Sequence, residues 1–237
     1  MPDIALATRA GEARAYLAVP AGDGPWPGVV VLHEAFGLDP DIRGHVDRFA
    51  GRGYLALAPD LLSLGRPKLR CLLAAFRAMS RRSGPAFDVI EDARDALATR
   101  EDCTGRVGVI GFCMGGGFAL LAAPRGWFAA SSVNYGPVPD DARDLLSASC
   151  PIVGTYGAKD RFMRGAPERL ERALAANAIV HDVKEYPGAS HSLLNRHHGL
   201  PLLIDRVAGT GWHEPSARDA LARIDAFFDR HVAGRDA

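Results

Sequence analysis

A cysteine between two glycines, an aspartate and a histidine carry the chemistry that this chain spells out. The stretch Val107-Gly108-Val109-Ile110-Gly111-Phe112-Cys113-Met114-Gly115-Gly116 reads as a strand, a Gly-x-Cys-x-Gly turn and the start of a helix. Such a turn presents a nucleophile on a sharp, strained corner, and its glycines let the strand and helix backbones pass closely without Cβ clashes. The thiol then sits at a helix N-terminus, where the dipole and free N–H groups favour a thiolate. The amide of Met114 is placed to serve as one oxyanion donor. A nucleophile needs a base, and the base needs an orienting acid. Tyr156-Gly157-Ala158-Lys159-Asp160 offers the acid, Asp160, and Pro187-Gly188-Ala189-Ser190-His191 offers the base, His191. Taken singly, Cys113 reads as a buried structural thiol, Asp160 as a helix cap and His191 as a polar loop residue. Taken together, in the order nucleophile, acid, base and each just after a strand, they read as a catalytic triad.

The elements that must hold these residues alternate between strand and helix. Val29–Leu32 is a continuous β-branched and apolar run, as expected of a strand buried on both faces. Asp39-Pro40 is a helix start, with a capping carboxylate and proline in the first turn. Ile42, Val46, Phe49 and Ala50 give that helix an apolar face, and Gly51 and Gly53 end it. Strands are expected at 54–58, 107–111, 128–133, 152–156 and 183–186, and helices at 68–79, 87–99, 114–123, 168–176 and 216–232. This alternation implies a mostly parallel central sheet with helices on both faces. Active sites of such sheets form at the carboxyl ends of the strands. Those ends carry His33-Glu34, Pro59-Asp60, Phe112-Cys113, Asn134-Tyr135, Lys159-Asp160 and His191.

With those motifs assembled, the chain resembles the dienelactone hydrolase family of α/β-hydrolases, from Val29 to the last helix. The resemblance is carried by Leu32-His33-Glu34-Ala35-Phe36-Gly37-Leu38, Ala58-Pro59-Asp60-Leu61, Gly111-Phe112-Cys113-Met114-Gly115-Gly116, Gly157-Ala158-Lys159-Asp160 and Gly188-Ala189-Ser190-His191-Ser192. It implies an α/β-hydrolase fold spanning residues 1–237 as one domain. It also implies hydrolysis of a lactone or carboxylic ester, of the dienelactone or carboxymethylenebutenolide type, through a Cys-His-Asp triad and an acyl-thioester. Glu34 is assigned to hold the resting thiol until substrate displaces it, and Ala35 supplies the second oxyanion N–H. The family's arginines for a substrate carboxylate map to Arg70 and to the fourth residue after His191. That residue is Asn195 here, with Arg196 beside it. Tyr135 matches an aromatic wall residue of the substrate site. The stretch 193–212 is longer than in typical members, and its apolar Leu200-Pro201-Leu202-Leu203-Ile204 and Trp212 suggest a wall or lid for bulkier substrates.

Composition narrows the alternatives. The 237 residues are 48% hydrophobic and hold 28 basic and 28 acidic side chains, which is too apolar for a disordered chain and too balanced for a nucleic-acid or membrane-surface role. No apolar run approaches a membrane span, and the N-terminus lacks a signal-peptide pattern, so a cytoplasmic location is expected. The four cysteines form no CxxC pair and are expected reduced. His33-Glu34-Ala35-Phe36-Gly37 has glycine where HExxH needs its second histidine, so no metal is expected. Gly111–Gly116 also resembles a dinucleotide turn, but Cys113 stands where the second glycine must admit a pyrophosphate, and no acidic residue closes the next strand. No cofactor is therefore expected, and the partner is a small lactone or ester, carboxylate-bearing if Arg70 and Arg196 contribute. A non-catalytic binding protein on the same fold is the other alternative, and the complete triad argues against it.

Overall fold

Strand residues pointing alternately to two faces build the two cores of this molecule. In β3 (Trp26–Leu32) Val30 and Leu32 join one apolar cluster, while Val29 and Val31 join the other. The same alternation divides Leu55 and Leu57 from Ala56 and Ala58 in β4 (Leu55–Pro59). A sheet buried on both sides needs helices on both sides. The first cluster is covered by α2 (Lys68–Arg81), α3 (Pro85–Ala98), α4 (Met114–Ala122), the short α5 (Ala142–Leu145) and α6 (Ala166–Ala176). The second is covered by α1 (Pro40–Gly51) and α7 (Glu214–Phe228). The computed structural model describes residues 3–65, 67–198, 203 and 210–235. Most of the apolar run 200–204 and the rest of the stretch up to 209 lie outside the described residues.

The eight strands follow the order β1-β2-β4-β3-β5-β6-β7-β8. β3, β4, β5 (Cys103–Phe112), β6 (Ser131–Asn134), β7 (Ile152–Gly157) and β8 (His181–Tyr186) run parallel. β1 (Asp3–Thr8) and β2 (Gly11–Ala18) form a hairpin that joins β4 antiparallel. The mostly parallel sheet with helices on both faces is borne out; the N-terminal hairpin is an addition to it. The expected strand at 128–133 becomes β6, and backbone bonds from Ala129 N to Val107 O (2.8 Å) and Val109 N to Ala130 O (3.0 Å) lead the chain into it. The last helix ends at Phe228, and a π-helical turn over Asp229–Ala233 completes the stretch expected as one helix. As expected, Asp39 caps α1, accepting from Ile42 N at 2.9 Å. Among the described residues, no helix is long and apolar enough to cross a membrane.

Candidate active site

Parallel strands all end at one edge, so the residues following them gather there. Cys113 leaves β5 with φ 51° and ψ −112°, a backbone state that non-glycine residues adopt only under strain. The surrounding backbone enforces it. A Cβ on Gly111 would lie 2.0 Å from Gly115 O, and one on Gly115 would lie 2.2 Å from Leu32 O. Cys113 N donates to Asn134 O at 3.0 Å and Gly117 N donates to Cys113 O at 3.1 Å, locking the corner to β6 and α4. Met114 opens α4, so its amide is one that a helix leaves without an internal acceptor. Cys113 is half-buried and free, as are Cys103 and Cys150, while Cys71 is buried. Burial pushes the Cys150 thiol up to about 12 and raises that of Cys103, so neither is poised to react near neutral pH.

The acid and base meet because two loops are tied together. Ala158 N donates to Tyr186 O at 3.0 Å and Lys159 N to Ala189 O at 2.9 Å. Asp160 Oδ2 then lies 2.6 Å from His191 Nδ1, while its Oδ1 accepts from the amides of Phe162 (2.9 Å) and Met163 (3.3 Å). Burial opposes a charge on His191, but Asp160 and the neighbouring Cys113 outweigh it and lift the imidazole to about 10. The structure thus brings Cys113, His191 and Asp160 together. Phe162 packs against the His191 ring at 5.7 Å and is 72% exposed, leaving an apolar face at the mouth.

Glu34 is buried beside this group. Its Oε1 accepts from Ser192 Oγ at 3.1 Å and its Oε2 pairs with His197 Nε2. Burial works to raise the carboxyl, but the hydrogen bond and charge of His197, with the charge of His191, hold it below its ordinary value. Asn195 accepts from His45 Nε2 at 2.9 Å, and its Nδ2 faces Glu34 without completing a hydrogen bond of good geometry. Burial and Arg48 depress His45 to about 4, so it is neutral. His33, also kept neutral by burial, contacts the Glu34 carbonyl through Nδ1 at 2.5 Å and accepts from Leu61 N at 2.9 Å through Nε2. Because that carbonyl shares a peptide plane with the Ala35 amide, His33 fixes the direction in which the Ala35 N–H points.

The remaining expected site residues fall into two groups. Tyr135 stands against the triad, its ring 5.2 Å from that of His191, and is fully buried. Burial, with the charges of Glu34 and Cys113, keeps its phenol protonated, and its hydroxyl faces Glu34 without completing a hydrogen bond of good geometry among the described residues. Among the described residues, no contact brings Arg196 to the triad. It lies over the Trp212 ring at 4.1 Å and reaches Glu214 at 3.4 Å on the surface. Arg70 is exposed on α2, whose first residue, Lys68, holds Phe36 O at 2.6 Å. Sequence reasoning missed His197 and Ser192 as the partners of Glu34. Ser192 was visible as the residue after the base, but His197 gave no signal, since its pairing spans 163 residues.

A parallel sheet with an antiparallel edge, and a strained cysteine corner beside an Asp–His pair at the carboxyl ends of the strands, are the features of the α/β-hydrolase class. A model of the dienelactone hydrolase family matches residues 13–232. A protein of Azospirillum brasilense named "Putative carboxymethylenebutenolidase" is 30% identical over 249 positions, covering 98% of this chain and 100% of that protein. The crystal structure of dienelactone hydrolase from Anabaena variabilis superposes with a TM-score of 0.69 at 21% identity, covering 98% of this chain and 97% of the other. A dienelactone hydrolase-like promiscuous phosphotriesterase from metagenomic libraries superposes with a TM-score of 0.83 at 19% identity, covering 98% of both chains. The two structures bear on the fold. The chain belongs to the dienelactone hydrolase family and is a hydrolase.

Proposed function

We propose that this enzyme hydrolyses a lactone or carboxylic ester through a covalent thioester on Cys113. The observation that carries the reading is the Asp160–His191 pair at 2.6 Å, with the half-buried Cys113 as the imidazole's other neighbour. The Cys113 thiolate adds to the carbonyl carbon, and the electron pair of the C=O bond moves to oxygen. The amides of Met114 and Ala35 receive that charge. Collapse expels the alkoxide, which takes the proton of the His191 imidazolium. In a lactone, the new alcohol stays on the acyl chain. His191 then removes a proton from water, hydroxide attacks the thioester, and the carboxylic acid leaves as the thiolate re-forms. The buried hydroxyl of Tyr135, beside Glu34 and the His191 ring, is placed to donate to a substrate oxygen.

Mass spectrometry and turnover test this directly. An activated ester such as p-nitrophenyl acetate should leave an acetyl group on the Cys113 peptide during turnover. Cys113→Ala should lose that adduct and nearly all hydrolysis while keeping the native melting profile. Retained hydrolysis in Cys113→Ala would falsify the thioester route.

A further inference from the structure

The outer apolar side chains of α2 take no part in the chemistry above. Leu69, Leu73 and Phe76, spaced four and three apart, form one stripe and are 67%, 60% and 48% exposed. α2 and α4 start at the same edge of the sheet and cover the same face. At the upper end, Lys68 holds Phe36 O, next to the Ala35 amide, and Met114 opens α4 beside Cys113. At the lower end, Arg125, just past α4, donates to Arg82 O at 2.5 Å. Between the two helices lies a cavity of about 290 Å³, close to the roughly 300 Å³ at which small-ligand pockets begin. Its apolar lining comes from Phe76 and Met79 on α2, Gly117 and Leu121 on α4, and Pro137 and Val138 after β6, while Ser80 and Arg82 close the lower end. Gly117 leaves room in it, since a Cβ there would lie 2.8 Å from Met79 Sδ and 2.9 Å from Pro137 Cγ. The amide of Gly117 donates to Cys113 O at 3.1 Å, and Pro137 is two residues past Tyr135, whose ring stands against His191. The cavity thus begins one helical turn, about 6 Å, from Cys113.

We propose that this cavity receives the acyl arm of the substrate, so that the enzyme prefers esters of apolar, unbranched acids to esters of acetate. The proposal rests on the triad reading above and adds a substrate class to it. The two faces of the sheet decide which arm enters. The leaving oxygen must meet His191, and the residues around His191, Ala189, Leu193 and Leu194, pack into the second cluster with α1 and α7. Met114, Leu121 and Val138 belong to the first cluster, on the opposite face. With the alcohol arm turned to His191, the other substituent of the carbonyl carbon points toward α2 and the cavity. About five C–C bonds of about 1.5 Å cover the turn from Cys113 to Gly117, so acids of about six carbons reach inside. Leu69 and Leu73 continue the stripe of Phe76 upward as an apolar rim. A folded partner needs a face that buries about 1,200 Å² or more, whereas a cavity of this volume suits a chain.

The test is the dependence of kcat/KM on acyl length, measured on p-nitrophenyl acetate, butyrate and hexanoate with the full-length protein. Wild type should gain at least about twentyfold from acetate to hexanoate, since each fully buried methylene contributes about fourfold. Phe76→Glu, which sets a charge at the upper end of the cavity, should lower the hexanoate-to-acetate ratio at least about tenfold. If that variant does not fold, Val138→Phe, which fills the cavity from the opposite wall, takes its place with the same expected fall. The ratio of hexyl acetate to methyl acetate varies the alcohol arm instead, and it should not follow. A flat acyl series in wild type overturns the proposal. So does an equal loss on acetate and hexanoate in the variant, which would make Phe76 merely structural, or a fall in the hexyl-to-methyl ratio, which would give the cavity to the alcohol. Those results leave the acetyl adduct on Cys113 in place. Absence of that adduct in wild type would overturn the triad reading, and this proposal with it.

Discussion

Two stretches close the site from opposite sides, and different forces hold them. The corner from Gly111 to Gly116 is fixed by backbone against backbone, with β5, α4 and β3 so close that there is no room for a Cβ at Gly111 or Gly115. The run from His191 to His197 is fixed by side chains reaching distant elements: His191 to Asp160, Ser192 and His197 to Glu34, Asn195 to His45. Backbone crowding is rigid and intolerant of change. A side-chain network can be altered one bond at a time without loss of the fold. The difference predicts how each stretch responds to substitution.

The largest effect should come from the crowded corner. Gly115→Ala would place its Cβ 2.2 Å from Leu32 O and 2.8 Å from His33 O, both backbone atoms that cannot swing aside. Overpacking a rigid core costs about 1–3 kcal/mol or more, and this contact belongs at the upper end. Urea unfolding should show at least about 3 kcal/mol of lost stability, or no soluble protein. Ser192→Ala, in the other stretch, removes one buried hydrogen bond and should cost only about 1 kcal/mol. Equal costs in the two variants would break the distinction.

Asp160 is the next step down, because it holds His191, the residue of the second stretch that neighbours Cys113. Its removal should leave the corner intact and lower turnover about 10²–10⁴-fold, the usual range for general acid–base assistance. The sign of the pH effect follows from His191. Its folded value of about 10 lies above its ordinary 6.5, so the stabilisation is full below 6.5 and is lost as pH rises through 10. Wild type should therefore lose melting temperature between pH 7 and 10, and Asp160→Asn, with His191 returned toward its ordinary value or lower by burial, should lose less over that window. Parallel melting curves against pH would show that Asp160 does not hold the proton on His191.

The same contrast explains what the sequence disclosed. Gly111, Cys113 and Gly115 lie within five positions, and steric necessity writes such a corner into local sequence. Asp160 and His191 were found because each follows a strand, so the order of elements placed them at one edge. His197 was invisible, since its role depends on a partner 163 residues away and on a left-handed residue with no glycine to announce it. The β1–β2 hairpin was missed for a related reason: edge strand β1 buries only Leu6 fully, too little for an apolar run to show. The longer helices and the parallel strands, with their buried faces, were legible to within a few residues, while the one-turn helix Ala142–Leu145 was too short for its periodicity to show.

The smallest effect concerns substrate charge, and it sharpens the comparison at its outer rim. Arg70 and Arg196 were both expected to meet a substrate carboxylate, yet they are differently committed. Arg196 spends its guanidinium on the Trp212 face and on Glu214. Arg70 is exposed and has no hydrogen-bond partner among the described residues. Lys68, two residues earlier on α2, is bonded to Phe36 O, and Phe36 in turn packs on His197, which ties this end of the helix to the Glu34 side of the site. An exposed ion pair contributes about 0.2–1 kcal/mol, which is up to roughly fivefold in affinity. Arg70→Ala should thus lower kcat/KM for a carboxylate-bearing lactone by up to about fivefold and leave its neutral methyl ester unchanged. Arg196→Ala should alter neither ratio, because the group it removes is held by Trp212 and Glu214 at the surface. The measurement is the acid-to-ester ratio of kcat/KM in both variants. A change of that ratio in Arg196→Ala would mean that the guanidinium leaves Trp212 to follow the substrate, and that the network after β8 reorganises during binding rather than standing ready beforehand.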